Sequence, residues 1–194
     1  MASRKAKIIR KTRETNIEIE INLDKIFPVL ISTTIGFLDH MLELFAIHSE
    51  ISFKIKASGD TYIDDHHLVE DLGIVIGKVL KKALGNKKGI ARYGHSLLPM
   101  DEVLSYVALD LSGRFYLNYE VCIKFQKTGF NYNLIKDFFY ALASNACITV
   151  HIKMLKNGDS HHTAESIFKA FGHAFKQAIN FRSEKNILSS KGFY

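Results

Sequence analysis

Cysteine is scarce in this chain, and long apolar runs are absent from it. With two cysteines in 194 residues, a fold held together by several disulfide bonds is excluded. Cys122 and Cys147 both lie among apolar neighbours, so they are predicted to be buried, reduced thiols. No apolar run approaches the roughly 20 residues that span a bilayer, and the first residues lack the hydrophobic segment of a signal peptide. These absences predict a cytoplasmic protein that does not enter a membrane.

The chain also lacks a concentrated block of one charge. Its 26 Lys and Arg residues outnumber its 20 Asp and Glu residues, for a net charge of +6, but bases and acids are interleaved everywhere except in the short run from Arg4 to Lys7. A nucleic-acid surface is typically a basic patch on one face, whereas an anionic small-molecule substrate explains the excess as well. We therefore expect no nucleic-acid partner. The composition, 47% hydrophobic and 24% charged, predicts a globular protein with a substantial core.

The stretch from Asp64 to Asp71 combines two histidines with acidic residues at helical spacing. In a helix, His66 and Glu70 lie four residues apart on one face, and His67 points about 100° away from them. The stretch therefore offers a ligand pair to one metal ion and a single ligand to another. The same His-His-x-x-Glu spacing returns 95 positions later (161 minus 66). Its members are His161, His162 and Glu165.

Hydrophobic periodicity predicts a succession of strands and helices. Residues 16–23 alternate polar and apolar side chains with period two, as a half-buried strand does. Further strands are predicted at residues 8–10, 52–57, 96–99, 103–109, 116–123 and 148–154. Helices are predicted at residues 36–45, 66–84, 133–144 and 160–180. The polar tail at residues 187–192 is predicted to be irregular.

The two halves of the chain match each other in sequence. With an offset of 97, residues 37–42 fall on 134–139, so that Asp137 takes the place of His40. A two-residue deletion changes the offset to 95, and the two His-His motifs then coincide.

We interpret the chain as one domain, residues 1–194, with internal repeats at about 7–90 and 91–180. The predicted class is α/β, more narrowly an α+β two-layer sandwich of duplicated β-α-β-α half-domains.

The duplication supplies two sets of candidate metal ligands, and helix geometry sorts them. One ion takes the pair His66 and Glu70, and the other takes His161 and Glu165. His67 and His162 cross over to the opposite ion, and His40 and Asp137 complete the two shells. Mixed imidazole and carboxylate ligands without thiolate suit Mn²⁺, Fe²⁺ or Zn²⁺, and this pattern does not choose among them.

At this level of detail the chain resembles a known family, imidazoleglycerol-phosphate dehydratase of histidine biosynthesis. The matching motifs extend over nearly the whole chain, in order and without large insertions. They are residues 35–42, 63–67 with Glu70 and Asp71, 99–102, 109–114, 161–162 with Glu165, 168–170, and 189–192.

The resemblance implies a fold of ribosomal-protein-S5-domain-2-like topology, two Mn²⁺ ions per active site, and a homo-oligomer of twenty-four subunits with its sites between protomers. It assigns one ion to His40, His67, His161 and Glu165. It assigns the other ion to His66, Glu70, His162 and the position of Asp137, where the family often has His or Glu.

The resemblance also implies a hydro-lyase that removes water from D-erythro-imidazoleglycerol phosphate to give imidazole-acetol phosphate. Glu14 matches the family carboxylate that is expected to move the carbon-bound proton. Cations and small hydroxyls are typical ligands of the substrate's phosphate. The implied substrate-binding residues are Glu14, His40, His48, His66, Glu70, Arg92, Arg114, His161, Lys169, Ser189, Ser190 and Lys191.

Three other interpretations remain open at this point. A dinuclear metallohydrolase would use the same ligands to activate a hydroxide nucleophile and would release phosphate. A basic nucleic-acid-binding module would show steeply salt-dependent binding but would leave the convergent ligands unexplained. A purely structural metal-binding cage protein would bind metal without turnover.

Overall fold

The computed structural model describes residues 4–123 and 129–182, so the predicted tail and the predicted site residues Ser189, Ser190 and Lys191 lie outside the described residues. Two halves with the same order of elements follow one another along the chain. The first half contains β1 (Lys5–Lys11), β2 (Thr15–Asn22), β3 (Val29–Ser32), α1 (Gly36–Ser49), β4 (Ser52–Gly59) and α2 (His66–Leu84). The second half contains β5 (Tyr93–Met100), β6 (Val103–Asp110), β7 (Tyr116–Glu120), α3 (Leu134–Ala146), β8 (Thr149–Lys156) and α4 (Ser160–Ile179).

Each half forms its own four-stranded mixed sheet, and the two sheets have equivalent topology. The strand orders are β1-β2-β4-β3 and β5-β6-β8-β7. In each sheet the last pair, β3 with β4 or β7 with β8, is parallel, and the other pairs are antiparallel. The period-two pattern of β2 buries Ile17, Ile19 and Ile21 on one face, as expected for a sheet covered on one side.

The helices pack between and against these sheets in a pseudo-symmetric way. Helix α2 packs on the first sheet and on α3, while α4 packs on the second sheet and on α1. Their buried faces meet in one aromatic core, which supplies most of the apolar burial that stabilises the fold. The largest buried aromatic side chains are Phe45, Phe53, Phe138, Phe139, Phe168, Phe171 and Phe175.

Both His-His motifs start a helix at equivalent ends of the two sheets. In the first half, the β1–β2 turn carries Glu14, whose carbonyl accepts a hydrogen bond from the Asp60 N–H just after β4. In the second half, the β5–β6 turn carries Glu102, whose carboxylate accepts a hydrogen bond from the Asp159 N–H just after β8 at 2.7 Å. The topology therefore brings an acidic turn to the start of α2 and another to the start of α4.

The predicted α+β two-layer class is confirmed, and the four predicted helices are present within a few residues of their predicted ends. The short strand β3 was not predicted, because four residues at a sheet edge give too little alternation to recognise. The prediction of buried thiols is wrong for Cys122, which is exposed just beyond the end of β7, and Cys147 is half-buried. None of the helices in the described part of the chain combines the length and apolar composition of a membrane span.

Candidate metal centre

The two His-His motifs are held in place by aspartates at the helix starts. The side chain of Asp159 caps α4 and accepts hydrogen bonds from the backbone N–H groups of His161 at 2.8 Å and His162 at 3.2 Å. The Asp64 carboxylate accepts one from the N–H of His66 at 2.8 Å. These bonds satisfy N–H groups that have no partner inside the helix. They also fix the direction in which each pair of imidazoles leaves its helix.

Three predicted ligands converge where α1 meets α4. The Nε2 atoms of His40 and His161 lie 3.0 and 2.9 Å from the same oxygen, Oε1 of Glu165. The two imidazole planes are nearly parallel, at 24° with a centroid distance of 5.9 Å. Both histidine side chains are half-exposed, whereas Glu165 is buried. The cluster therefore opens toward solvent from a buried carboxylate.

Glu165 is held as a carboxylate by its neighbours. Burial alone would raise its pKa, but hydrogen bonds from Lys169 and His40, the charge of Lys169 and a hydrogen bond from His161 together lower the pKa to about 2. Lys169 lies one helical turn further along α4 and donates to Oε2 at 2.6 Å. An ionised carboxylate with both oxygens so oriented is ready to bind a cation.

The chemistry and spacing of this donor set fit a divalent ion. The ligand atoms of His40, His161 and Glu165 all lie within 4.8 Å of one another. An octahedral ion with bonds of about 2.1 Å places neighbouring ligand atoms about 3 Å apart, close to the observed nitrogen-to-oxygen distances. Two imidazoles and one carboxylate suit a borderline ion and leave further positions for another ligand and for substrate.

The equivalent residues of the first half are close together but do not converge as tightly. His66 Nε2 lies 3.6 Å from Glu70 Oε2, and His66 Nδ1 lies 4.0 Å from Asp137 Oδ2. The two carboxylates therefore approach opposite nitrogens of one ring.

The structure does not bring His67 and His162 into either cluster of the same chain. His67 Nδ1 lies 3.1 Å from Asp60 Oδ2, and His162 Nδ1 lies 3.0 Å from Glu102 Oε2. The hydrogen bond to Asp60, together with the charge of Glu14, outweighs desolvation and raises the pKa of His67. The corresponding bond to Glu102 raises the pKa of His162. Each ring pairs with its own carboxylate instead of joining a cluster.

Glu14 is exposed in the β1–β2 turn, close enough to His67 to act on its charge. The turn is anchored by Thr15, whose hydroxyl donates to the buried carboxylate of Asp71 at 2.5 Å, and by an ion pair between Arg10 and Asp71. Asp71 therefore fixes the position of Glu14 relative to α2. An exposed carboxylate next to a candidate ligand can contact a molecule bound there.

The predicted phosphate-binding arginines lie at the far end of the second sheet. Arg92 immediately precedes β5 and forms a two-point ion pair with Asp110, at 2.7 and 3.1 Å. Arg114 is exposed just before β7, and its carbonyl accepts from the Thr149 hydroxyl. Since β5 runs for eight residues between this end and the Glu102 turn, about 25 Å separates the arginines from the start of α4. One chain therefore does not place them beside His161.

His48 lies in the last turn of α1, away from the ligand cluster. Its Nδ1 is 3.1 Å from Nε2 of His173 on α4. Burial, then the charges of His173 and Lys169, lower the pKa of His48. A neutral imidazole can donate one hydrogen bond and accept another, so His48 is suited to polar contact rather than to charge pairing.

Asp60 and Glu102 are the two site residues for which the sequence predicted no role. Asp60 lies outside every motif described above, and Glu102 belongs only to the matching motif at residues 99–102. An acidic residue that follows a strand or closes a hairpin is common, so the pattern carried no specific signal. Asp60 lies only seven positions before His67. Glu102 lies 60 positions before His162 and reaches it only through the pairing of β6 with β8.

Comparisons with known proteins identify the family of this chain. Residues 33–175 match the family model described as imidazoleglycerol-phosphate dehydratase. The imidazoleglycerol-phosphate dehydratase of Endomicrobium trichonymphae is 72% identical over 193 residues, covering 99% of each chain. That of Streptococcus sanguinis strain SK36 is 52% identical over 191 residues, covering 97% of this chain and 98% of its own.

Solved structures of the same family share the fold. The imidazoleglycerol-phosphate dehydratase of Staphylococcus aureus N315 superimposes with a TM-score of 0.83 at 40% identity, over 92% of this chain and 99% of its own. The Pyrococcus furiosus enzyme superimposes with a TM-score of 0.84 at 36% identity, over 96% of this chain and 100% of its own. The family match, the near-full-length identity and the shared fold lead to one conclusion: the chain belongs to the imidazoleglycerol-phosphate dehydratase family.

Proposed function

We propose that this chain catalyses the metal-dependent dehydration of D-erythro-imidazoleglycerol phosphate to imidazole-acetol phosphate and water, a step of histidine biosynthesis. The observation that carries the proposal is the convergence of His40, His161 and Glu165 in a chain that belongs to this family. The two free thiols fit a reducing compartment such as the cytoplasm.

Two sets of side chains would hold two Mn²⁺ ions. His40, His161 and Glu165 form one set, to which His67 adds the fourth ligand. His66, Glu70 and Asp137 form the other set, to which His162 adds the fourth. When bound, the ions would supply Lewis acidity that favours the deprotonated form of the substrate's imidazole and would orient it.

The protein groups around that substrate would remove one carbon-bound proton and assist the loss of one hydroxyl group as water. Glu14 would accept the proton from the carbon bearing the second hydroxyl, while the electron pair of that C–H bond forms the new double bond. The hydroxyl on the carbon next to the imidazole leaves as water after taking up a proton. The resulting enol becomes the ketone, with a proton returned to carbon, so that the net change is loss of one water molecule.

Cationic side chains would bind the phosphate end of the substrate. Lys169 already approaches the cluster through Glu165. Arg92 and Arg114 are too far from His161 within one chain, so the copies that contact a given substrate would belong to another subunit. Guanidinium groups bind phosphate through paired N–H donors.

The absence of two predicted ligands from the clusters of their own chain supports a homo-oligomer whose sites lie between protomers. His67 and His162 pair with other carboxylates, and each cluster lacks a fourth protein ligand within the described residues. A symmetric assembly would let each chain complete the site of a neighbour and receive the same help. We propose twenty-four subunits, and light scattering of the purified protein tests that number.

The decisive experiment is a spectrophotometric assay of imidazole-acetol phosphate formation. Chelator-treated protein should be inactive, and added Mn²⁺ should restore turnover. Release of inorganic phosphate without the ketone product would instead support a dinuclear metallohydrolase. Folded protein that binds Mn²⁺ but forms no product would contradict the proposed function.

A further inference from the structure

Two of the proposed ligands share a feature that distinguishes them from the others. His67 and His162 both use Nδ1 to contact a carboxylate of their own chain, Asp60 in the first half and Glu102 in the second. In contrast, His40 and His161 direct Nε2 toward the carboxylate of their own cluster. His67 and His162 therefore present the opposite ring nitrogen to their carboxylates.

This reversal determines which nitrogen is available. A carboxylate accepts a hydrogen bond only from a protonated nitrogen, so each contact places the proton of the neutral ring on Nδ1. The lone pair is then on Nε2. Neither Nε2 atom hydrogen-bonds within the described residues, and the two side chains are equally exposed, at 37% for His67 and 36% for His162.

We propose that Asp60 and Glu102 are positioning residues that orient His67 and His162 so that Nε2 binds the metal ion of a neighbouring subunit. The assignment rests on the proposed metal-dependent function. A carboxylate that receives the second N–H of a ligating histidine fixes the tautomer, limits rotation of the ring and makes the ligating nitrogen more basic. Such carboxylates act through the histidine and do not touch the ion.

The same assignment explains why only one half supplies an acid or base for the reaction. Glu14 and Glu102 close equivalent hairpins, between β1 and β2 and between β5 and β6. In the first half, Asp60 holds the histidine, and the carboxylate of Glu14 forms no hydrogen bond within the described residues. In the second half, the offset of 97 places Asn157 where Asp60 stands, and Glu102 holds the histidine instead. Glu14 is therefore free for the substrate, whereas Glu102 is occupied.

The experiment is a binding isotherm for Mn²⁺ alone on the chelator-treated, assembled protein, followed by the electron paramagnetic resonance signal of free Mn²⁺. The wild type should bind two ions per chain. Asp60→Ala should weaken one of the two sites by about 10- to 100-fold and leave the other unchanged. Asp60→Asn keeps an acceptor oxygen without the charge, so its affinity should lie between those of the wild type and Asp60→Ala.

Glu102→Gln should weaken the site that Asp60→Ala leaves unchanged. Glutamine is preferred to alanine here because the Glu102 carboxylate also accepts the Asp159 N–H, and glutamine keeps an acceptor for it. Asp101→Asn is the matched control. Asp101 is exposed and adjacent to Glu102, and its carboxylate lies 3.9 Å from Nδ1 of His162. If Asp101 and Glu102 themselves bound the ion, replacing either one would weaken the site equally.

The outcomes separate the alternatives. Selective loss of one site per variant, partial rescue by Asp60→Asn and no effect of Asp101→Asn support the assignment. Unchanged affinity in Asp60→Ala and Glu102→Gln, equal weakening of both sites by either variant, an equal effect of Asp101→Asn, or no Mn²⁺ binding by the wild type would overturn it. The binding isotherm contains no substrate, so it tests the role of Asp60 and Glu102 independently of turnover. A wild type that binds two ions but forms no product in the separate assay would contradict the proposed function and not this assignment.

Discussion

At the scale of single residues, Glu14 and Glu165 are carboxylates with opposite surroundings. Glu165 is buried, receives hydrogen bonds from Lys169, His40 and His161, and has a pKa of about 2. Glu14 is exposed at the tip of a hairpin. A carboxylate surrounded by cations stays ionised and suits a metal ligand, whereas an exposed carboxylate is accessible to a bound molecule. Their surroundings therefore suit them to different roles.

Replacing Glu14 by glutamine should remove the proton-transfer group and leave the ligands in place. We expect kcat to fall by about 10²- to 10⁴-fold, the usual contribution of a general base, while the amount of bound Mn²⁺ stays at the wild-type level. Steady-state assays and metal analysis of the same preparation measure both quantities. Glu18→Gln is the matched control, since Glu18 pairs with Lys7 on β1 and β2, away from the cluster. Wild-type turnover in Glu14→Gln would contradict the assigned role.

His67 and His162 should make Mn²⁺ binding depend on pH. The pKa values of His67 and His162 are raised, chiefly by hydrogen bonds to Asp60 and Glu102. A raised pKa means that the protonated ring is favoured in the folded chain, and this stabilisation is lost as the pH rises through the folded-state pKa. Only the neutral ring can bind a metal ion.

Mn²⁺ affinity should therefore continue to rise at pH values above the ordinary histidine value of about 6.5, and binding should release protons. Calorimetric titrations in buffers of different ionisation enthalpy count those protons. A binding constant that is flat between neutral and mildly alkaline pH would show that these two rings are not ligands.

At the scale of secondary-structure elements, glycines on α2 allow α3 to approach closely. An added Cβ on Gly77 would lie 2.5 Å from the Leu142 carbonyl oxygen, and one on Gly73 would lie 2.6 Å from that of Phe138. Gly172 on α4 is the counterpart of Gly77, and a Cβ there would lie 3.0 Å from the Phe45 carbonyl oxygen of α1. Alanine would be the better helix former at each position, so close packing of backbones has decided the residue type.

Gly77→Ala should accordingly destabilise the fold by about 1–3 kcal/mol, the usual range for overpacking. Gly36→Ala is the control, because a Cβ at that position meets nothing within 4 Å, and it should leave stability unchanged or slightly raised. Urea unfolding followed by circular dichroism compares the two variants. Equal midpoints for both would mean that α2 and α3 can separate at little cost.

At the scale of the whole molecule, the described chain divides each proposed site into parts that do not meet. The His40 cluster lies at the start of α4, His67 pairs with Asp60 beside α2, and Arg92 lies at the opposite end of the second sheet. A site assembled from several copies would bring these parts together.

Subunit mixing tests this arrangement directly. His40→Ala and His67→Ala should each be inactive alone, because each removes one ligand from every site. If the two residues of a site come from different subunits, dissociating and reassembling an equal mixture should restore about one quarter of the sites by random pairing. Turnover of the reassembled mixture is the measurement, with each variant reassembled by itself as the control. No recovery in a mixture shown to contain both variants would place His40 and His67 of one site in the same chain.

Much of the local structure followed from the sequence. The spacing of His66 with Glu70 and of His161 with Glu165 depends only on the pitch of a helix, and the helices begin where the motifs predicted. The types of ligand also needed no tertiary information, because imidazole and carboxylate select a class of ion by their own chemistry. The repeat was visible because both halves keep the same apolar pattern.

The sequence by itself determined the elements, the duplication and the kinds of candidate ligand, since each can be recognised from the order and spacing of residues along the chain. Only the tertiary structure decided which ligands meet. His40 and Glu165 are 125 positions apart, and their contact requires α1 to pack on α4. The reversed ring of His162 likewise depends on Glu102, a carboxylate 60 positions away in the turn between β5 and β6. Such contacts arise from the packing of whole elements, and for that reason no local pattern predicts them.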